Sequence, residues 1–346
     1  MFAGPGARAI GPGPAMSRPR VFVTRRLPGD ALAGLENQAQ VELWSGPGAP
    51  PAEALREGAA RAEGLLCMLT DRVDRRLLAA CPSLRVVSSF SVGVDHVDLV
   101  AATERRLPVG HTPGVLTETT ADLSFGLLLA AARRIAEADR WVRAGGWTPA
   151  RRWEPELLLG RDVHGATLGV IGLGEIGRAM ARRALGFGMR VLGWSRALHP
   201  CPGVERVPLD ELLQRADFVS VHVALTPETR GLLDAAALSR LRPGAIVVNT
   251  ARGGILDEAA LAEELRSGRL AAAALDVYQS EPLPPESPLL ALENVVLTPH
   301  IGSASRETRA RMAQLAVENL CAGLAGRRLP HVANPEVYAS GGASEA

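Results

Sequence analysis

Short apolar runs bounded by turn residues recur along the whole chain. They are "RVFVTRR" (20–26), "AEGLLCMLTD" (62–71), "LRVVSSFS" (84–91), "DFVSVHVAL" (217–225), "GAIVVNTA" (244–251), "LAAAALDVY" (270–278) and "NVVLTPH" (294–300). Runs that stay apolar instead of alternating are the pattern of strands buried on both faces. Between them lie segments of helical spacing, such as "RVDRRLLAAC" and a polar helical stretch after the first run. Strands alternating with helices predict an α/β fold with doubly wound parallel sheets. A longer periodic segment, "TETTADLSFGLLLAAARRIAEADRWVRAG" (117–145), predicts one long helix with Thr117 or Thr119 as N-cap and Gly145 and Gly146 as its stop.

A chain of 346 residues exceeds one ordinary core, so two domains are expected. At 47% apolar and 22% charged residues, with a net charge of +1, the composition gives no whole-molecule attraction to nucleic acid or membrane. The longest clean apolar run, "FGLLLAAA" (125–132), is far short of a membrane span. All 38 basic residues are Arg, which excludes a Schiff-base lysine and a phosphate loop that needs one. Cys67, Cys81, Cys201 and Cys321 are scattered without metal-binding spacing, so no metal site and a reducing, cytoplasmic setting are expected. The Gly- and Pro-rich residues 1–16 and the tail 336–346 are expected to be disordered.

The segment "ATLGVIGLGEIGRAMARRALGFGMRVLGWS" (166–195) reads strand, glycine turn, helix, strand. Gly172, Gly174 and Gly177 form a GxGxxG within a complete unit, the fingerprint of a dinucleotide site. The first glycine permits a tight turn, the second lets backbone approach a pyrophosphate, and the third packs helix against strand. An acid about 20 residues later holds the ribose 2′-hydroxyl in NAD sites. Here Ser195 and Arg196 stand in its place, a hydroxyl and a guanidinium suited to a 2′-phosphate. NADPH is therefore the expected cofactor, with acceptance of NADH, and Arg196 as a plain surface residue, as the alternative.

Three other runs end in chemistry-bearing residues: "NTARGG" in Arg252, "YQSEP" in Glu281 and "TPHIGS" in His300. Hydride transfer to a carbonyl needs a proton donor for the developing alkoxide and a group to fix the substrate anion. An imidazole supplies the proton, a carboxylate on its other ring nitrogen favours the imidazolium, and an Arg fixes a carboxylate bidentately.

With these motifs in place, the chain resembles the D-isomer-specific 2-hydroxyacid dehydrogenases over residues 20 to 330, most of all the glyoxylate/hydroxypyruvate reductases. "GLLCMLTDRVD" (64–74), "SVGVDHVDL" (91–99), "HTPGVLTETTADLSFGLLL" (111–129), "ADFVSVHVALTPETRGLL" (216–233), "LRPGAIVVNTARGGILDEAAL" (241–261), "AAAALDVYQSEPLP" (271–284) and "VVLTPHIGSAS" (295–305) carry the resemblance beside the glycine turn. It implies a Rossmann cofactor domain (114–299) inserted into a flavodoxin-like substrate domain (17–113, returning over 300–335). It also implies a catalytic set of Arg252, Glu281 and His300, and a substrate carboxylate held by the amides of Val92 and Gly93. Asp276 is implied to lie on the nicotinamide and substrate side, and Glu175, Ile176, Thr250 and Gly302 at cofactor-contacting positions. A homodimer formed through the 117–145 region is implied too, with Trp153 reaching a neighbouring active site or serving only to pack. His96 is expected to steady its loop, not to perform chemistry.

The expected function is NADPH-preferring reduction of small 2-oxoacids to D-2-hydroxyacids: glyoxylate to glycolate and hydroxypyruvate to D-glycerate. Within the class, a 2-ketogluconate-type sugar-acid reductase is the alternative. Outside it, the alternative is a nucleotide-sensing scaffold of the co-repressor kind, which the Ser195–Arg196 pair and the short Gly/Pro/Ala-rich termini disfavour.

Overall fold

In the computed structural model, residues 18–196 and 200–339 are described. The expectations for residues 1–16 and 340–346 fall outside this set. Two compact units emerge. One comprises the described residues up to Thr112 together with those from Met312 onward, and the other runs from Pro113 to Arg311. Residues 300–311, assigned from sequence to the returning segment, thus belong with the second unit.

The first stretch of the chain gives β1 (Arg20–Val23), α1 (Ala31–Glu36), β2 (Gln40–Leu43), α2 (Ala52–Ala60), β3 (Gly64–Cys67), α3 (Arg75–Ala80), β4 (Val86–Ser89), α4 (Leu99–Glu104) and β5 (Val109–Gly110). Its five parallel strands are ordered β2-β1-β3-β4-β5, the flavodoxin-like arrangement. Successive side chains go to opposite faces: Phe22, Leu65 and Val87 join one core cluster, while Val21, Val23, Leu66 and Val86 join the other. Asp74 and Asp98 cap α3 and α4 by accepting hydrogen bonds from Leu77 N (2.9 Å) and Ala101 N (2.8 Å), contacts worth about 1 kcal/mol each. Strand β2 lies in a stretch read from sequence as helical. Its "QVEL" is a half-exposed edge strand whose polar positions hide the strand signal.

The second unit holds α5 (Thr117–Ala132), α6 (Ile135–Arg143), β6 (Thr167–Ile171), α7 (Glu175–Gly186), β7 (Arg190–Trp194), β8 (Val204–Arg206), α8 (Leu209–Arg215), β9 (Phe218–Val221), α9 (Ala235–Ser239), β10 (Ile246–Asn249), α10 (Glu258–Arg266), β11 (Ala272–Leu275) and β12 (Val295–Leu297). The single long helix expected over 117–145 is in fact two. Arg134 adopts φ +52° between α5 and α6, a left-handed conformation that ends the first helix without Gly or Pro. Nor does a threonine cap α5. Leu116 is its N-cap, while Thr117 Oγ1 donates to Glu175 (3.0 Å) and Thr119 Oγ1 meets Thr308 Oγ1 (2.7 Å).

Seven parallel strands are ordered β12-β11-β10-β9-β6-β7-β8, so the direction of winding reverses between β6 and β9. Phe218, Leu168 and Val170 face α5 through Phe125 and Leu128, while Ile171, Val219 and Val247 face the opposite layer. Phe218 is wholly buried, which contributes about 1.5–3 kcal/mol. Ligands of such sheets bind outside the carboxyl ends of the strands, at the reversal point.

Helix α11 (Arg306–Leu324) returns the chain to the first unit, where Ala316 and Leu320 pack in the cluster of Val21 and Val86 and Ser88 Oγ donates to Ala316 O (2.8 Å). Part of the tail expected to be disordered is ordered: Pro335–Tyr338 form a 3₁₀ turn, and Tyr338 Oη accepts from Leu329 N (3.0 Å). Among the described residues, no helix is long and apolar enough to cross a membrane.

Candidate active site

Strands β10, β11 and β12 are neighbours and parallel, so the residues that follow them emerge on one edge of the second sheet. Asn249 ends β10 and shapes the turn. Its Oδ1 accepts from Ala251 N and its Nδ2 donates to Arg252 O, both at 3.0 Å, which places Arg252 at the turn. Beyond β11, Glu281 folds back so that Oε1 accepts from Tyr278 N (3.1 Å). Its other oxygen, Oε2, accepts from Nδ1 of His300 at 2.7 Å.

That contact occupies Nδ1 and leaves Nε2 of His300 as the ring atom for a reacting group. Burial alone would raise the Glu281 pKa. The hydrogen bond and charge of His300, the N–H of Tyr278 and the charge of Arg252 outweigh it and hold the carboxyl below the ordinary range. Both side chains remain about one-quarter exposed, so the pair is reachable. His300 itself sits at φ +53°, a left-handed backbone rare outside glycine and costing about 1–2 kcal/mol.

Asp276 explains how that conformation is held. Its buried carboxylate accepts from Thr298 Oγ1 (2.6 Å), Ile301 N (2.8 Å) and Gly302 N (2.8 Å), gripping both flanks of His300. Burial raises its pKa, partly offset by these donors and by the charge of His300. Asp276, expected from the family resemblance to lie on the nicotinamide and substrate side, has both oxygens engaged in these contacts, mostly with backbone N–H groups that the sequence does not mark.

At the reversal point, the glycine turn follows β6 and leads into α7. Gly172 has φ +101°, and a Cβ there would lie 2.6 Å from His222 O. A Cβ on Gly177 would lie 1.8 Å from Gly172 O, so this glycine brings helix and turn together. Gly174, at the N-cap of α7, has no atom within 4 Å of its missing Cβ and an ordinary negative φ. Packing therefore does not require glycine at 174, whereas backbone approach by a pyrophosphate does, and the N-terminal amides of α7 suit that anion. These residues fit a dinucleotide.

The family model described as "D-isomer specific 2-hydroxyacid dehydrogenase, NAD binding domain" matches residues 125–302. A glyoxylate reductase of Korarchaeum cryptofilum is 48% identical over 92% of this chain and 97% of its own length. The chain belongs to the D-isomer-specific 2-hydroxyacid dehydrogenases. A solved structure from Thermus thermophilus has 51% identity and a TM-score of 0.86, covering 91% of this chain and 99% of that one. An NADPH-dependent glyoxylate/hydroxypyruvate reductase of Sinorhizobium meliloti, solved with NADP and malonate, has 34% identity and a TM-score of 0.82 over 93% of this chain and 98% of its own. This dehydrogenase is accordingly an oxidoreductase with a nicotinamide cofactor, acting as a reductase of small 2-oxoacids.

The remaining residues singled out in the dehydrogenase's sequence fall as follows. Glu175 and Ile176 open α7, with Glu175 exposed. Thr250 is buried, its hydroxyl 2.6 Å from Ser124 Oγ on α5. Gly302 donates its N–H to Asp276. Val92 and Gly93 lie in the first unit, in the loop after β4. Ser195 and Arg196 directly follow β7, where Ser195 O accepts from Arg206 of β8 (2.9 Å) and Arg196 lies 3.6 Å from Glu228. Sequence reasoning missed Arg206 and Glu228. Only pairing of β7 with β8 brings Arg206 to Ser195, and nothing in a chain with 38 arginines marks it beforehand.

Proposed function

We propose that this dehydrogenase prefers NADPH and produces D-2-hydroxyacids, taking glyoxylate to glycolate and hydroxypyruvate to D-glycerate. The observation that carries the coenzyme preference is the end of β7, where Arg196 follows Ser195 and the guanidinium of Arg206 donates to the Ser195 carbonyl (2.9 Å). The Arg196–Glu228 pair is exposed on both sides and screened by solvent, so a phosphate competes readily for Arg196.

A nicotinamide held at the glycine turn would supply the hydride for the substrate's carbonyl carbon. Nε2 of His300 delivers the proton to the oxygen, while Glu281 orients the imidazole. Arg252 fixes the planar substrate and Val92 and Gly93 hold its carboxylate, roles supported by the family resemblance. The same reading includes a reducing, cytoplasmic setting, in keeping with four free cysteines, and a homodimer. Ile135 and Val142 of α6, with Trp147, Trp153 and Leu159 just beyond, are exposed apolar side chains of the kind that a second copy covers. Analytical ultracentrifugation should give a dimer, and Ile135→Glu a weaker one; a monomer at micromolar concentration excludes that part.

The experiment for the function is steady-state reduction of glyoxylate, hydroxypyruvate and 2-ketogluconate, each with NADPH and NADH, by the wild type and Arg196→Asp. NADPH preference in the wild type, lost through a raised KM for NADPH in the variant, is expected. Equal changes for both coenzymes would remove Arg196 from phosphate recognition. Nucleotide binding without turnover of any substrate would favour a nucleotide sensor.

A further inference from the structure

The loop after β4 has an unusual division of hydrogen bonds. Four successive carbonyls are occupied: Ser91 O accepts from Thr112 N (2.8 Å), Val92 O from Nδ1 of His111 (3.0 Å), Gly93 O from Ser91 Oγ (2.6 Å) and Val94 O from Val97 N (2.9 Å). Among the described residues, the N–H groups of Val92, Gly93 and Val94 donate to none. All three residues are partly exposed.

The protons in this network follow from its donors. A carbonyl only accepts, so Nδ1 of His111 carries a proton. Ser91 spends its one proton on Gly93 O, so at the 2.7 Å contact with Ser89 Oγ it is Ser89 that donates. Ser89 must then accept from Nε2 of His96, 3.0 Å away. The relay runs one way, from His96 through Ser89 and Ser91 to the carbonyl of Gly93. In a trans peptide the C=O and the following N–H point in opposite directions. Gripping Ser91 O therefore aims the N–H of Val92, gripping Val92 O aims that of Gly93, and gripping Gly93 O aims that of Val94.

We infer that His111 is a positioning residue for substrate recognition: by holding Val92 O it turns the amide of Gly93 toward the substrate carboxylate, beside the amide of Val92 aimed by Thr112, while the His96–Ser89–Ser91 relay fixes the next peptide. This rests on the proposed reading that the loop holds that carboxylate through the amides of Val92 and Gly93. His111 was noted in sequence only as the first residue of a matching motif. Its function becomes visible once its ring is placed on a loop 19 residues earlier.

The test compares kcat/KM for glyoxylate with that for glyoxylamide, its neutral isostere, in the wild type, His111→Phe and His111→Asn. Phe cannot donate to Val92 O, whereas the Asn amide can. In His111→Phe the glyoxylate-to-glyoxylamide ratio should fall about 10- to 100-fold, the loss expected for one hydrogen bond to a charged group. The change should lie mainly in KM for glyoxylate, with a matching rise in the inhibition constant of oxalate, and His111→Asn should restore the ratio. Equal losses on both substrates, or an Asn variant as impaired as Phe, would overturn the assignment. Should Phe not be tolerated, Ser91→Ala reads the same ratio through the neighbouring peptide. A wild type that treats the two substrates alike would instead refute the carboxylate reading itself. Discrimination retained in His111→Phe would refute the positioning role alone.

Discussion

Replacing Asp276 by Asn removes one oxygen acceptor and the negative charge while keeping the shape, and the structure sets the cost. The carboxylate receives Thr298 Oγ1 and Ile301 N on one oxygen and Gly302 N on the other. The Thr298 hydroxyl can rotate to accept from the new amide, but the two backbone N–H groups cannot. Either orientation of Asn therefore points NH₂ at a backbone donor and strands one buried N–H, at about 1–3 kcal/mol. The surviving bonds lose charge assistance, about 1 kcal/mol each. A total near 3 kcal/mol should appear as a lower midpoint in urea denaturation followed by tryptophan fluorescence. Because Ile301 and Thr298 flank His300 at its left-handed backbone, kcat for glyoxylate should fall as well. An Asn variant with wild-type stability and wild-type kcat would mean that the carboxylate does not hold the loop, and the reasoning would fail.

Glu281→Gln should lower kcat/KM, and its stability deficit should depend on pH. The folded-state pKa of Glu281 is depressed, so its ionised form contributes stability above the ordinary carboxyl value and loses it as pH falls through the folded value. The gap between wild type and Gln should thus be full near neutrality and shrink on acidification below about 4.3, the ordinary Glu value. A gap that widens toward acid pH would contradict the pairing with His300. The coenzyme exchange in Arg196→Asp and the dissociation of Ile135→Glu test the more peripheral parts of the account.

Much of this was legible in the sequence, for definite reasons. Parallel strands buried on both faces are apolar throughout, so a polar residue at their ends stands out; Arg252, Glu281 and His300 were singled out that way, and the contact between Glu281 and His300 is present in the structure. The glycine turn was equally visible, because Gly172 and Gly177 are forced by backbone approach. What escaped depends on pairing between distant segments. The carboxylate of Asp276 clamps amides about 25 residues on, Arg206 reaches Ser195 only through the β7–β8 pair, and β2 is an edge strand without an apolar run. The break between α5 and α6 carries no Gly or Pro and was unreadable for that reason.

The central claim, proton donation by His300 to a 2-oxoacid reduced by bound NADPH, is tested most directly by single-turnover reduction of glyoxylate in His300→Ala, alongside fluorescence titration of NADPH. The account predicts a reduction rate lower by ~10²–10⁴ with coenzyme affinity little changed. A variant that reduces glyoxylate at the wild-type rate would contradict it.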